Sequence, residues 1–214
     1  MITVHLDASA RREKHKSELR AEMLDAAREI FRRDGYDGFT MRKLAESMKY
    51  SPANIYLYFK DRDEIFDSLV DESFASLLQA LPQPSGASDE DPVALLKRSL
   101  HIYVNFGLSH PNEYQFAFLL RPAGQARPHK RRAAYDSLVL KVRLCIAKKR
   151  FRTTDVELTA QALWAAAHGI TSLMIQRPAF PWAGRDNVIR RVIDSAVDAL
   201  SVISAAERPR RKPK

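Results

Sequence analysis

The segment from residue 51 to residue 62 carries side chains whose chemistry suits contact with duplex DNA. Ser51 followed by proline is a strong helix start, and Ile55 and Phe59, four residues apart, would hold a short helix from behind. The outward positions are small, amide, hydroxyl and cationic residues: Pro52, Ala53, Asn54, Tyr56, Tyr58, Lys60 and Arg62. Small residues can approach a thymine methyl, an amide can pair with a base, and hydroxyls and cations bind phosphate oxygens. The pattern predicts a short helix that enters the major groove.

The other chemistry-bearing residues show no catalytic arrangement. The six histidines have no metal-ligand spacing, and no motif of a catalytic serine, a zinc protease or a phosphate-binding glycine loop occurs. Cys145 is the single cysteine and lies in a basic helical segment, where buried packing is favoured over a role as a nucleophile. The sequence therefore predicts no enzyme, no metal site and no cofactor.

Composition limits the class of protein and its compartment. The 214 residues are 45% hydrophobic and 29% charged, which is typical of a globular chain. No apolar run reaches the roughly 18–20 residues of a membrane span, and the polar N-terminus lacks the apolar core of a secretory signal. A lone cysteine fits a reducing compartment. We expect a cytoplasmic protein with no membrane partner.

The positive charge is concentrated away from the recognition segment. The net charge is +9, but residues 1–64 carry 13 basic and 12 acidic side chains, whereas residues 121–152 hold 11 Lys and Arg against Asp136 alone. DNA binding must therefore be argued from particular residues rather than from bulk charge. For the basic stretch 127–152, a solvated helix face is the favoured interpretation. Contact with an anionic ligand and contact with flanking DNA are the alternatives.

Apolar residues recur at steps of three and four through almost the whole chain, which predicts an all-α fold of eight or nine helices without a sheet. A helix over 17–34 ends at Gly35, a residue suited to a left-handed C-cap, and Thr40 is the N-cap of the next helix. Residues 82–91, rich in proline and acid, form a linker. Further helices are predicted over 61–81, 92–110, 111–120, 130–150, 155–175 and 187–205, with a loop at 121–128.

Two runs of residues resemble the DNA-binding domain of the tetracycline-repressor (TetR) family of transcriptional regulators. They are Phe31-x-x-x-Gly35-Tyr36-x-x-x-Thr40-Met41-Arg42-x-Leu44-Ala45 and Ser51-Pro52-Ala53-Asn54-Ile55-Tyr56-Leu57-Tyr58-Phe59-Lys60-Asp61-Arg62-Asp63-Glu64. The resemblance covers about residues 17–66. It implies a three-helix helix-turn-helix DNA-binding domain, a larger helical ligand-binding and dimerisation domain, and binding of a homodimer to a palindromic double-stranded operator.

The resemblance also implies roles by position. Thr40 caps the first helix of the pair, and Arg42 reaches phosphate. Base contacts are implied for Pro52, Ala53 and Asn54, and backbone contacts for Tyr56, Tyr58, Lys60 and Arg62. Lys49 departs from the family, which commonly has glycine in this turn. A left-handed lysine costs about 1 kcal/mol relative to glycine. Either the turn is rearranged to avoid that cost, or a contact between Lys49 and phosphate offsets it.

Aromatic residues in the C-terminal half suggest a ligand pocket. Core packing is the favoured role of any one of them, and the wall of an apolar pocket is the alternative. Residues 162–170 also resemble a C-terminal domain of some family members that is named for its Trp, His and Gly. For His168, a hydrogen-bonded position in the core competes with a polar position at the pocket wall. The candidate ligand-binding residues are Tyr103, Phe106, Tyr114, Phe118, Trp164, His168 and Thr171.

We expect four regions along the chain. They are a flexible basic arm at 1–16, the helix-turn-helix domain at 17–62, a helical ligand-binding and dimerisation domain at 63–206, and a disordered basic tail at 207–214. Small residues between Ala162 and Gly169, together with the apolar stripe of the last helix, favour a two-fold pairing of helices between subunits. Burial of both faces within a monomer is the alternative.

The sequence thus predicts a ligand-responsive transcriptional regulator, with repression as the favoured output, that a small and largely apolar effector releases from its operator. The alternative is a helical ligand-binding or interaction protein without sequence-specific DNA binding. A recognition segment sealed inside the fold would exclude the first interpretation.

Overall fold

The computed structural model describes residues 3–84, 90–118 and 129–202, and most of them are helical. The nine helices in these ranges are α1 (Thr3–Gly38), α2 (Met41–Met48), α3 (Pro52–Tyr56), α4 (Arg62–Ala80), α5 (Pro92–Ser109), α6 (Pro111–Phe118), α7 (His129–Ala147), α8 (Val156–Gln176) and α9 (Arg185–Asp198). The all-α prediction is confirmed, since these ranges contain no strand beyond an isolated bridge between Phe151 and Ser201. Within them, no helix is both long and apolar enough to cross a membrane.

The chain divides into two compact units. The first unit is Met1–Ser73 with Asn112–Arg127, and the second is Phe74–Pro111 with Pro128–Lys214. The division therefore falls within α4, whereas the sequence predicts a boundary before this helix. The segment that contains most of α6 also belongs to the first unit, although the sequence groups it with the C-terminal domain.

The early turns of α4 belong to the first unit because they pack against α1. The Phe66 ring lies edge-on to the Phe31 ring, with centroids 5.5 Å apart. Arg20 donates to Ser68 Oγ at 2.8 Å. Aromatic packing and a tertiary hydrogen bond therefore tie this part of α4 to α1.

Helix α1 is longer than the sequence predicts, because it begins at Thr3 rather than at Ser17. Residues 10–18 are exposed, so burial does not hold this part of the helix. Alanine, arginine, glutamate and lysine are frequent here and are good helix formers. The expected flexible arm is thus helical over its described part. Gly35 interrupts α1 with a φ of 73° and a ψ of −178°. Its φ is positive, as in the predicted left-handed cap, but its ψ is extended rather than left-handed helical.

The second unit is built around one apolar core shared by α5, α7, α8 and α9. Its members with no exposed surface are Leu96, Val104, Val142, Cys145, Ala160, Ala167, Met174, Ile193 and Val197. Burial raises the pKa of the Cys145 thiol to about 12. The packing role predicted for this cysteine is confirmed, because a protonated and inaccessible thiol is not a nucleophile.

Several helices, α3 and α9 among them, end earlier than the sequence predicts. Helix α3 stops at Tyr56 rather than at Phe59. Helix α9 stops at Asp198 because the chain turns back towards the segment that follows α7, where Arg152 N donates to Leu200 O at 3.1 Å. The predicted loop at 121–128, the centre of the predicted linker at 85–89 and the predicted tail at 207–214 lie outside the described residues.

Candidate nucleic-acid interface

A tight turn joins α2 to α3, and side-chain caps begin both helices. Thr40 Oγ1 accepts a hydrogen bond from Lys43 N at 3.1 Å, which confirms Thr40 as the N-cap of α2. Ser51 Oγ accepts one from Asn54 N at 3.3 Å at the start of α3. Between the two helices, Lys49 lies in the left-handed region with φ 59° and ψ 35°. The direction of α3 is thus set by bonds within a few residues of the turn.

Helix α3 and the residues after it bury one side and expose the other. Ile55 and Phe59 are buried, as the sequence predicts. The Arg20 guanidinium lies 4.5 Å from the centroid of the Phe59 ring and adds a cation–π contact behind the helix. The exposed members of the segment between residues 52 and 62 are Pro52, Ala53, Asn54, Tyr56, Leu57, Lys60 and Arg62. The anchored side faces the protein, so the opposite side is open to solvent and available for contact.

Three large side chains near this surface differ from what the sequence suggests. Tyr58 is half-buried rather than fully outward. Leu57 is 74% exposed and Tyr50 is 39% exposed, although the sequence assigns neither of them a role. Leu57 does not share the four-residue spacing that puts Ile55 and Phe59 on the buried side. Its exposure could therefore have been predicted from the sequence. An exposed leucine here adds apolar surface suited to a thymine methyl.

The cations predicted to reach phosphate have partners within the protein or lie in solvent. Arg42 Nε donates to Glu46 Oε1 at 2.8 Å in an exposed pair on one helix, and such pairs are weak. The Arg62 guanidinium lies 4.7 Å from the centroid of the Tyr36 ring. Lys60 is exposed. Phosphate can therefore replace Glu46 at Arg42 at little cost, while the aromatic ring orients Arg62.

A charge cluster fixes α2 to the end of α1. Asp34 accepts hydrogen bonds from Arg33 Nε at 2.7 Å and from Lys43 Nζ at 2.9 Å. The hydrogen bond from the Arg33 guanidinium, followed by that from Lys43, holds the pKa of the Asp34 carboxyl well below its usual range. Lys43 also donates to Gly38 O at 2.8 Å. Lys43 therefore serves the junction of the two helices.

In the second unit, three predicted ligand residues form a hydrogen-bonded chain. Trp164 Nε1 donates to the Tyr103 hydroxyl at 3.3 Å, and that hydroxyl lies 3.5 Å from His168 Nδ1. His168 Nε2 lies 3.3 Å from Ser172 Oγ. Burial lowers the pKa of His168, so the imidazole is neutral at pH 7. If Tyr103 donates to Nδ1, the ring proton lies on Nε2 and is donated to Ser172, which satisfies every member of the chain.

Tyr135 and Glu157 extend this aromatic cluster. The Tyr135 ring lies edge-on to the Trp164 ring with centroids 6.2 Å apart. Its hydroxyl donates to Glu157 Oε2 at 2.8 Å. The sequence assigns neither residue a role. Tyr135 lies within the basic stretch, and an acidic residue such as Glu157 is common in the first turn of a helix. Glu157 is on the same helix as Trp164, whereas the proximity of Tyr135 to Trp164 depends on the packing of α7 against α8.

The other candidate ligand residues have different surroundings. The Phe106 ring stacks on His110 with centroids 4.5 Å apart. Thr171 is buried, and its hydroxyl donates to a carbonyl of its own helix at 2.7 Å. Tyr114 and Phe118 contact each other with centroids 4.8 Å apart and belong to the first unit. Among the residues that the structure describes, no three His, Cys, Asp or Glu side chains gather as metal ligands.

Two family models match the chain on either side of the start of α5. The model for bacterial regulatory proteins of the tetR family matches residues 23–69, which contain α2 and α3. The model for the tetracyclin repressor-like C-terminal domain matches residues 96–200. The chain belongs to the TetR family. It is therefore a ligand-responsive transcriptional regulator with a helix-turn-helix DNA-binding domain.

Curated relatives of this TetR-family regulator carry regulator names. The nicotine-responsive transcriptional repressor HdnoR of Paenarthrobacter nicotinovorans is 23% identical over 189 residues, which are 86% of this chain and 96% of that protein. The uncharacterized HTH-type transcriptional regulator YfiR of Bacillus subtilis is 33% identical over 67 residues. That match covers 31% of this chain and 33% of YfiR, so the chain spans one third of that relative. TetR-family regulators bind operator DNA and small-molecule effectors, typically as dimers.

Solved structures share the TetR fold with this chain. A protein of unknown function from Rhodococcus sp. RHA1 superimposes with a TM-score of 0.73 at 24% identity, covering 86% of this chain and 96% of that one. A bacterial regulatory protein of the tetR family from Rhodococcus RHA1 superimposes with a TM-score of 0.66 at 19% identity, covering 86% and 98%. At these identities the likeness shows the fold.

Replacing Lys49 with glycine should stabilise this TetR-family regulator by about 1 kcal/mol. Glycine adopts the φ of 59° without the steric cost that a Cβ adds in the left-handed region. Urea unfolding measures the gain in the free energy of unfolding. If Lys49 binds phosphate, the same variant should also reduce the salt slope of operator binding by about 0.9 for each phosphate that the lysine no longer neutralises.

Lys149→Gly is the matched control, because Lys149 also has a left-handed φ of 57° and follows α7 in the second unit. It should gain similar stability and leave the salt slope unchanged. No gain in stability for Lys49→Gly would show that the turn is unstrained. A salt slope that Lys49→Gly leaves unchanged would exclude a phosphate contact at this position.

Proposed function

We propose that the chain is a repressor that binds a palindromic operator as a homodimer and is released by a small, largely apolar effector. It acts without catalysis, and because its partner is operator DNA it works in the cytoplasm. The observation that carries this proposal is the exposed side of α3, which Ile55 and Phe59 hold from behind.

The first turn of α3 suits close contact with base edges. Pro52 and Ala53 carry no long side chain, so the helix can approach the floor of the major groove. The amide of Asn54, one position further on, can pair with adenine or with phosphate. Tyr56 is 55% exposed at the end of the helix and Lys60 follows it, and both can reach the backbone.

Helix α8 supports the homodimer, because it exposes an apolar stripe. Leu158 is 66% exposed and Leu173 is 53% exposed. Ala162 and Ala165 are exposed between them, at steps of three and four residues. Gly169 lies on the same stripe, and a Cβ added there would meet open space. Large residues at both ends and small ones between them allow a second helix to approach closely.

Helix α9 offers less apolar surface for pairing than the sequence predicts. Ile189, Ile193 and Val197 are buried in the core of their own unit, and Val188 and Val192 pack against that core. The exposed positions of the helix include many charged residues: Arg185, Asp186, Arg190, Arg191 and Asp198. We therefore assign the centre of the dimer interface to α8 and place the charged positions of α9 at its rim.

The second unit supplies the groups for a small effector. The hydrogen bonds that link Trp164, Tyr103 and His168 place hydroxyl and imidazole groups within a largely apolar unit. The name of the relative HdnoR as nicotine-responsive supports a small organic effector. Effector binding would weaken operator binding by a coupling free energy that is typically about 1–3 kcal/mol. Helix α4 would transmit the change, since its residues are divided between the two units.

Fluorescence anisotropy with the full-length protein tests the proposal. The protein is titrated into a labelled duplex from the promoter of the neighbouring gene and into a shuffled duplex, at about 150 mM salt. We expect the promoter duplex to bind about a thousandfold more tightly. Equal affinity for both would favour the alternative, a helical ligand-binding or interaction protein without sequence-specific DNA binding. Effector and operator that bind independently would refute the coupling.

A further inference from the structure

Among the residues of the basic helix α7 whose side chains are described, one cation is not reached by solvent. Arg132 and Arg143 on this helix, and Lys148 directly after it, are exposed, as expected for a solvated helix face. Lys141 is different, because it is 1% exposed and ranks among the largest fully buried side chains of the protein. A lysine in this position therefore needs an explanation other than contact with water.

The buried ammonium has few partners. Lys141 Nζ donates to Ser137 Oγ at 2.7 Å and lies 3.4 Å from Ser137 O. No carboxylate among the described residues forms an ion pair with it. Because an ammonium has three N–H donors, Ser137 does not use all of them. Burial lowers the pKa of Lys141 to about 8, which leaves most of the group protonated at pH 7.

Stability does not account for Lys141. A buried charge without a counter-ion destabilises the folded state, and an apolar side chain of similar volume would fill the same space without that penalty. Val142 and Cys145 of the same helix show that α7 otherwise contributes apolar groups to the core. A charged residue at a position that otherwise takes apolar side chains is expected where a protein binds a ligand or carries out chemistry.

We infer that Lys141 binds the anionic group of the effector and that the effector is a small apolar molecule with one carboxylate. This inference rests on the proposed function and names the class of effector. One ammonium neutralises one negative charge, and a carboxylate oxygen accepts the N–H that Ser137 leaves open. The apolar body of the effector matches the apolar residues that α7 contributes to the second unit.

Isothermal titration calorimetry of the full-length protein without DNA tests the inference. Octanoate and phenylacetate are compared with octanamide and phenylacetamide, so each acid is paired with a neutral molecule of the same shape. We expect at least one acid to bind about tenfold or more tightly than its amide. Lys141→Met should remove that preference, so that each acid binds no more tightly than its amide. Acids that bind no better than their amides, or that do not bind, would overturn the inference.

The stability of the ligand-free variants separates binding from a structural role. Lys141→Met and Lys141→Gln remove the buried charge, so both should melt about 2–4 °C above the wild type. Lys148→Met removes an exposed lysine near the end of the same helix and should change neither the melting temperature nor the acid preference. Loss of stability in both Lys141 variants would assign a structural role to the lysine and overturn the inference.

Duplex binding measured on the same wild-type and Lys141→Met proteins distinguishes failure of this inference from failure of the proposed function. Lys141→Met without ligand should bind the promoter duplex as the wild type does, because the lysine belongs to the second unit. A wild-type protein that bound acids through Lys141 but did not select the promoter duplex would contradict the proposed function alone. A protein that selected the duplex but did not discriminate acids from amides would contradict the inference alone.

Discussion

Aspartate in place of Ala53 should abolish operator binding and leave the fold intact. Ala53 is exposed in the first turn of α3, where a carboxylate is favourable because it meets the positive end of the helix dipole. Against DNA the same carboxylate faces negative charge, at a cost of at least about 2 kcal/mol for each half-site. The proposed dimer has two half-sites, so affinity should fall about a thousandfold. Anisotropy measures the affinity, and thermal melting followed by circular dichroism checks the fold.

Ala94→Asp is the matched control for Ala53→Asp. Ala94 is also exposed in the first turn of a helix that begins with proline and has a side-chain cap, but it belongs to the second unit. This variant should bind the operator as the wild type does. An Ala53→Asp protein that also kept wild-type affinity would place the DNA contact on another surface.

Glutamate in place of Leu173 should convert the proposed dimer into a monomer. Leu173 is 53% exposed on the apolar stripe of α8, and pairing of two such stripes would bury the new charge without a partner. A monomer holds one DNA-binding domain and cannot bind two half-sites simultaneously. Operator affinity should therefore fall about a hundredfold or more. Light scattering during gel filtration measures the mass, and anisotropy measures the affinity.

Leu140→Glu provides the comparison for Leu173→Glu. Leu140 has a similar exposure of 51% but lies on α7, outside the proposed interface. The variant should remain dimeric and should bind the operator normally. A dimeric Leu173→Glu protein would show that the subunits pair through a surface other than the stripe of α8.

Most of the geometry of the proposed DNA-binding surface could be predicted from the sequence because its determinants are local. Thr40 and Ser51 cap helices by bonds to backbone groups three residues away. Ile55 and Phe59 are one helical turn apart, so their spacing alone indicates which side of the segment is buried. The left-handed turn at Lys49 could be anticipated from the glycine that the family commonly places there.

The features that the sequence did not reveal depend on packing between distant segments. The burial of Lys141 is decided by the helices that pack against α7, whereas its basic neighbours suggest a solvated position. Tyr135 meets Trp164 only because α7 and α8 lie side by side. The end of α9 is set by a bridge to Phe151, in a part of the chain that helical periodicity does not connect with it.

The single thiol of the chain makes the protein suitable for site-specific labelling. Cys145 has no exposed surface and a pKa of about 12, so a maleimide dye should leave it unmodified. A cysteine introduced at Ser47, which is exposed on α2, would then be the reactive position of each subunit. In the proposed dimer, resonance energy transfer between two fluorophores at these positions would measure the separation of the two DNA-binding domains directly, without and with the effector.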